Sequence, residues 1–126
     1  MLEMMIAMSI LGIGILGTTA GQLAAIRVSS DSRLSSEATY LAEQQMEIFK
    51  IMPADDVALL AGTSVDPSNP IDPDVADNTT MAFNRNWTIT NAVPEAGMIQ
   101  IQVNVTWMNA LGTLRTASIE SYKANP

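Results

Sequence analysis

The chain has no cysteine and no histidine. Thiolate nucleophiles, histidine general bases, Cys/His zinc sites and covalent haem attachment are therefore closed to it, as is disulfide stapling. The absence of cysteine says nothing about redox compartment, only that no staple is needed there. Bases are scarce too: 6 Lys+Arg stand against 13 Asp+Glu, a formal net charge of −7. So few scattered cations fit a phosphate backbone poorly, and nucleic-acid binding by a single copy is disfavoured. Aromatics are limited to Tyr40, Phe49, Phe83, Trp87, Trp107 and Tyr122. Six rings, all beyond residue 39, give no continuous stack for conduction.

What is present is unevenly placed. The 126 residues amount to one ordinary domain. Mean hydropathy is +0.19, which sits oddly beside a pI near 4.2. Residues 1–27 hold one acid, Glu3, and one base, Arg27. The other 99 residues hold 12 acids and 5 bases, so the whole net charge lies there. A greasy front joins an acidic, polar body.

Residues 4–26 are 23 consecutive positions without a charge. As a helix they reach ~34 Å, enough to cross a hydrocarbon core of ~30 Å. A secretory signal is the weaker reading, because no basic residue precedes Arg27. A buried core helix of that length is unusual in so small a domain, so a membrane span is favoured. Glu3 stands at its mouth, where a carboxylate taken deep into lipid costs up to ~2.5–3.5 kcal/mol. It is either an acid resting in the headgroups at a helix N-terminus or one kept for a cationic partner. Gly12, Gly14, Gly17 and Gly21 each lower helix stability by ~1 kcal/mol relative to Ala. Gly14, Gly17 and Gly21 run on into Ala24 and Ala25 as a small-residue stripe, and Gly17-x-x-x-Gly21 is a close-packing spacing in apolar media. Glycine is also simply common in membrane helices.

The opening run Leu2-Glu3-Met4-Met5-Ile6-Ala7-Met8-Ser9-Ile10-Leu11-Gly12-Ile13-Gly14 resembles the N-terminal segment of type IV pilins and pseudopilins. It is most similar to the minor-pilin branch called pilus modification proteins. Ala42-Glu43-Gln44-Gln45-Met46-Glu47 and Met52-Pro53 followed by Asp55-Asp56 match that branch more weakly. The family's leader, its cleavage-site Gly and its Phe-Thr pair are absent, so Met1 aligns with an internal family position, about two residues into the mature chain. The Cys pair that closes many major-pilin heads is absent as well. The resemblance implies that Glu3 neutralises a neighbouring subunit's N-terminal amine during assembly. It also implies that Gly12, Gly14, Gly17 and Gly21 serve close helix approach, with Gly12–Gly17 the least regular stretch once subunits are packed.

Further along, Leu34, Ala38, Leu41, Gln45, Ile48 and Met52 follow helical spacing, with Phe49 beside them, while polar residues hold the other faces. Pro53 and Asp55-Asp56 end this helix and lead into a short one through Leu60, stopped by Gly62. Residues 62–80 are turn-rich and show neither helix nor strand pattern. Within them Asp72, Asp74 and Asp77, with Asp66, Asn69 and Asn78 near, offer oxygens for Ca²⁺. The spacing lacks a turn glycine and a following bidentate Glu, so a solvated acidic loop is the better reading. Asn78, Asn86 and Asn104 open N-x-S/T triplets, which need a glycosylation system to matter.

Three strands follow: Phe83 to Ile89, Ile99 to Trp107 and Leu114 to Tyr122, joined by hairpin-length links Val93–Gly97 and Asn109–Gly112. Trp87 and Trp107 fit a core or sheet face better than a sugar platform. The expected fold is α+β, with a long N-terminal helix and a small antiparallel sheet of three to four strands on its C-terminal half. Its divisions are a hydrophobic segment 1–27, an amphipathic continuation 28–52 and a head 53–126.

Together with the resemblance, these features lead to the expectation of a non-enzymatic structural subunit of a type IV pilus-like filament, with no cofactor. It would be a homo-oligomer, alone or with other pilins, held in the inner membrane and then in an extracellular pilus. A minor, tip-located pilin acting as an initiator or adhesin and a periplasmic type II secretion pseudopilin are the alternatives. For a membrane-anchored enzyme, no catalytic constellation is visible.

Overall fold

Alternation is the strongest local signal in the body, and it sets the sheet. The computed structural model describes residues 2–73 and 82–124. Helix α1 is Leu2–Ile51, followed by a single 3-10 turn at Val57–Leu59. The strands are β1 (Gly62–Val65), β2 (Asn84–Asn91), β3 (Met98–Met108) and β4 (Leu114–Ala124). They form one sheet in the order β1-β2-β3-β4, each pair antiparallel. The class is therefore α+β, a long helix with a four-stranded antiparallel meander.

By internal contacts the chain divides into two compact units, Met1–Arg33 and Leu34–Pro126. The second contains a complete core. In β3, Ile99, Ile101, Val103, Val105 and Trp107 are all buried, while the residues between them face outward. Register extends that face to Ile89 on β2 and Ile119 on β4. Against it α1 packs Leu34, Ala38, Leu41, Ala42, Gln45, Met46 and Phe49. The buried stripe is rotated from the expected one. Ile48 is 39% exposed, and Ala42 and Met46 lie at the centre instead. Ala38 and Ala42, both fully buried, belong to the same cluster as the inner row of β3. Phe49 meets Trp87 edge-on at 5.3 Å, and Phe83 and Trp107 tilt together at 6.1 Å.

Two ends are tied by chemistry that local pattern does not specify. α1 stops before Pro53, which cannot continue a helix. Its last carbonyls are covered from the far end of the chain. The Lys123 ammonium on β4 donates to Phe49 O and Lys50 O, both at 3.1 Å, and to Met52 O. A cation on those carbonyls satisfies orphan acceptors and opposes the negative end of the helix dipole. In the next turn the Asp56 carboxylate accepts from Ala58 N–H at 2.9 Å.

Residues 62–65 correct the turn-only reading of this region. Gly62, at φ +146°, opens strand β1 rather than stopping a helix. All four β1 residues are exposed, so no alternation marks the strand. It exists because the edge of β2 offers it unpaired backbone groups, helped by a Thr63–Thr88 hydroxyl contact at 3.1 Å.

Candidate assembly surface

The first unit is a helix without a core. Between Leu2 and Val28, 13 large apolar side chains are each 53–74% exposed. Removing them from water is worth on the order of 10 kcal/mol or more in sum. That equals the net stability of a whole domain. The apolar residues surround the helix instead of forming one stripe, the pattern of a segment covered on every side. Within Leu2–Ile51 lies a stretch long and apolar enough to cross a membrane, and none of it is buried.

The hydroxyls in this stretch are satisfied locally. Ser9 Oγ donates to Met5 O at 2.8 Å, and Thr18 and Thr19 hydroxyls both donate to Ile15 O at 2.9 Å. Such back-bonding closes the hydroxyls within the helix, so they do not require water. Glu3 occupies the first turn and is exposed. Gly12, Gly14, Gly17 and Gly21 lie in continuous α-helix, and a Cβ built on any of them meets nothing within 4 Å. Among the described residues no side-chain contact accounts for the glycines. Their small size is available to whatever packs against the helix from outside.

The acidic loop residues separate. Asp74, Asp77 and Asn78 lie outside the described residues, and Asp72 is half-buried with a polar interaction of its own. Asp66 and Asn69, read as oxygens near the Ca²⁺ candidates, are engaged elsewhere. Asp66 and Arg85 are both buried, at 5% and 8% exposure. Asp66 Oδ2 takes Arg85 Nε at 2.7 Å and a second guanidinium nitrogen at 2.5 Å. The third nitrogen of the guanidinium donates to Leu41 O at 2.9 Å. Asn69 Oδ1 accepts Arg85 N–H at 2.9 Å, and its amide donates back to Arg85 O at 2.8 Å. Burial pushes the Asp66 carboxyl up, but Ser68 N–H at 2.7 Å and the Arg85 guanidinium outweigh it and hold it below the ordinary value. This knot binds helix, loop and strand. The one legible sign of it was a cation, Arg85, at an inward position of an alternating strand. Among the described residues no group of three metal-ligating side chains assembles.

The remaining candidates are structural in their setting. Trp107 is core and Trp87 half-buried. Asn86 and Asn104 face each other in register on β2 and β3, half-buried within strands. A shallow groove is lined by Glu43, Met46, Glu47, Lys50 and Ile119. Its charged rim is occupied by the Glu47–Lys50 pair at 3.0 Å. No protein-family model, curated protein or solved structure matches this chain.

Proposed function

We propose that this chain is a structural subunit of a type IV pilus-like filament, held in a membrane by its N-terminal helix before assembly. The observation that carries this reading is the apolar, coreless helix from Leu2 onward, with Glu3 in its first turn, joined to a head that has its own core. Such a helix has two stable surroundings, lipid or other copies of itself. In lipid the tails cover the apolar side chains. In a filament the helices bundle, with Gly14, Gly17 and Gly21 allowing close approach. Glu3 then supplies register. A carboxylate among apolar helices is costly unless it meets a cation, and an N-terminal amine of a neighbouring subunit is one that every added copy supplies. Misregister leaves that charge unpaired, and the acidic heads keep the outer shell wet.

The test replaces Glu3 and follows two compartments. Glu3→Ala is expected to leave the protein in the membrane fraction while sharply reducing its yield in filaments sheared from the cells and imaged by electron microscopy. Normal filament yield would overturn the role given to Glu3. Protein found only as dispersed membrane monomers, with filaments absent in the unaltered chain too, would overturn the filament reading itself.

A further inference from the structure

The head presents two exposed apolar turns, each braced from beneath and each with its own charge. In the β3–β4 turn Met108 and Leu114 are paired in register, and Leu111 stands between them. They are 63%, 64% and 70% exposed. Asn109, itself buried, braces this turn by accepting N–H from Leu111 at 3.0 Å and from Thr113 at 2.8 Å through its side-chain oxygen. Arg115 follows, exposed and without an ion pair among the described residues. The other turn is the 3-10 turn after α1. Val57 and Leu60 are 78% and 67% exposed, while Leu59 between them is buried in the core. Asp56 caps the turn at Ala58 N–H, and Leu60 N–H donates to Val57 O at 3.3 Å. Asp55 precedes it, exposed and likewise without an ion pair among the described residues.

Register places the two turns at opposite ends of the unit Leu34–Pro126. Leu114 pairs with Met108 at the last residue of β3. Toward the first residues of β3, Lys123 pairs with Ile99 and reaches the last carbonyls of α1. Gly62, just after Leu60, pairs with Ile89, and Ile89 pairs with Ile101. From Ile101 to Met108 is about 23 Å of strand. One end of the head therefore carries Val57 and Leu60 with Asp55 and Asp56, and the other carries Met108, Leu111 and Leu114 with Arg115. Two copies in the same orientation, displaced along β3, bring these unlike ends together.

We propose that heads of successive copies meet end to end: Met108, Leu111 and Leu114 of one copy pack on Val57 and Leu60 of the next, with Arg115 set against Asp55 and Asp56. The inference deepens the filament reading above and rests on it. Charge makes a second copy the occupant. Residues 34–126 hold 11 acids and 4 bases, so most approaches of two heads are repulsive. Three of those bases are engaged at home: Arg85 on Asp66, Lys50 on Glu47 and Lys123 on the carbonyls of α1. Arg115 is the cation left to offer, and it lies at the end opposite the Asp55-Asp56 pair. Symmetry agrees, because a contact between two different patches repeats from copy to copy without closing and so extends a filament. Size sets its strength. A few side chains on each copy fall far short of the ~20–30 residues a side of a stable complex, so free copies pair weakly through this contact. It holds where the filament core already fixes the neighbours.

The absence of cysteine makes the test direct. Leu60→Cys and Leu111→Cys are placed together in the full-length chain, and filaments sheared from the cells are oxidised with copper phenanthroline. Within one copy the two positions lie much farther apart than the ~7 Å between Cα atoms that a disulfide tolerates, so each such bridge joins two copies. The expected result is a ladder of dimers, trimers and longer chains on a non-reducing gel, several-fold stronger than from Leu111→Cys with Ser118→Cys. Arg115→Glu should cut filament yield several-fold, and adding Asp55→Lys should restore it; this charge swap decides the matter if the cysteine pair itself blocks assembly. Filaments of normal yield whose ladder is no stronger than the control overturn the contact and leave the filament reading standing. Cross-links that stop at dimers and form equally with Leu111→Cys alone overturn it in favour of like ends meeting. A double charge variant that assembles no better than Arg115→Glu overturns the charge pairing. Absence of filaments from the unaltered chain overturns the filament reading and this contact with it.

Discussion

Asp66 and Arg85 show how much one buried pair decides. Removing one partner leaves the other charge unpaired in the core, so Asp66→Ala is expected to cost about 3–5 kcal/mol. Both tryptophans lie beyond residue 34, so their fluorescence during urea unfolding in detergent reports that unit alone. A loss within 1 kcal/mol of zero would show that the knot is dispensable. The same carboxylate gives an acid limb. Its folded pKa is lowered from the ordinary 3.8, so its contribution is complete above that value and is lost as pH falls through the lower folded one. Stability followed by the same fluorescence should therefore fall below about pH 4 more steeply in the unaltered chain than in Asp66→Ala. Sequence reading had placed Asp66 among solvated acids, because its cation is 19 residues away and no local period links the two.

At the scale of elements, the division of labour within α1 was legible. An uncharged run gives the coreless first part, and helical spacing from Leu34 gives the packed part. The exact packing face was not, since Ile48 and Ala42 exchange roles once the sheet's position is fixed. The helix end depends on Lys123, from the last strand. Lys123→Met should cost about 1.5–3 kcal/mol, the range for hydrogen bonds to a charged group, again read by urea unfolding. An unchanged midpoint would mean that Pro53 alone stops the helix. β3 was evident from five alternating apolar residues, whereas β1 had no such mark. Its four exposed residues become a strand only through the edge of β2.

For the whole molecule the unresolved stability lies outside the head. A side chain at Gly17 or Gly21 would meet nothing beyond its own helix among the described residues, so Gly17→Ile or Gly21→Ile should leave urea unfolding of the head unchanged. In the proposed filament each should reduce assembly strongly, because a branched side chain blocks close helix approach. Normal filament yield from both variants would remove the glycines from the assembly surface.

The sequence by itself determined the apolar front, the acidic head, the helix and three of the four strands, because each is written in composition or in a repeat of 2 or 3.6 residues. Greasiness beside a net charge of −7 is explained by two segments with different surroundings. Tertiary structure alone decided the Asp66–Arg85 knot, the Lys123 cap and strand β1. Those depend on pairs from 19 to 74 residues apart, whose energies appear only when the chain has brought them together.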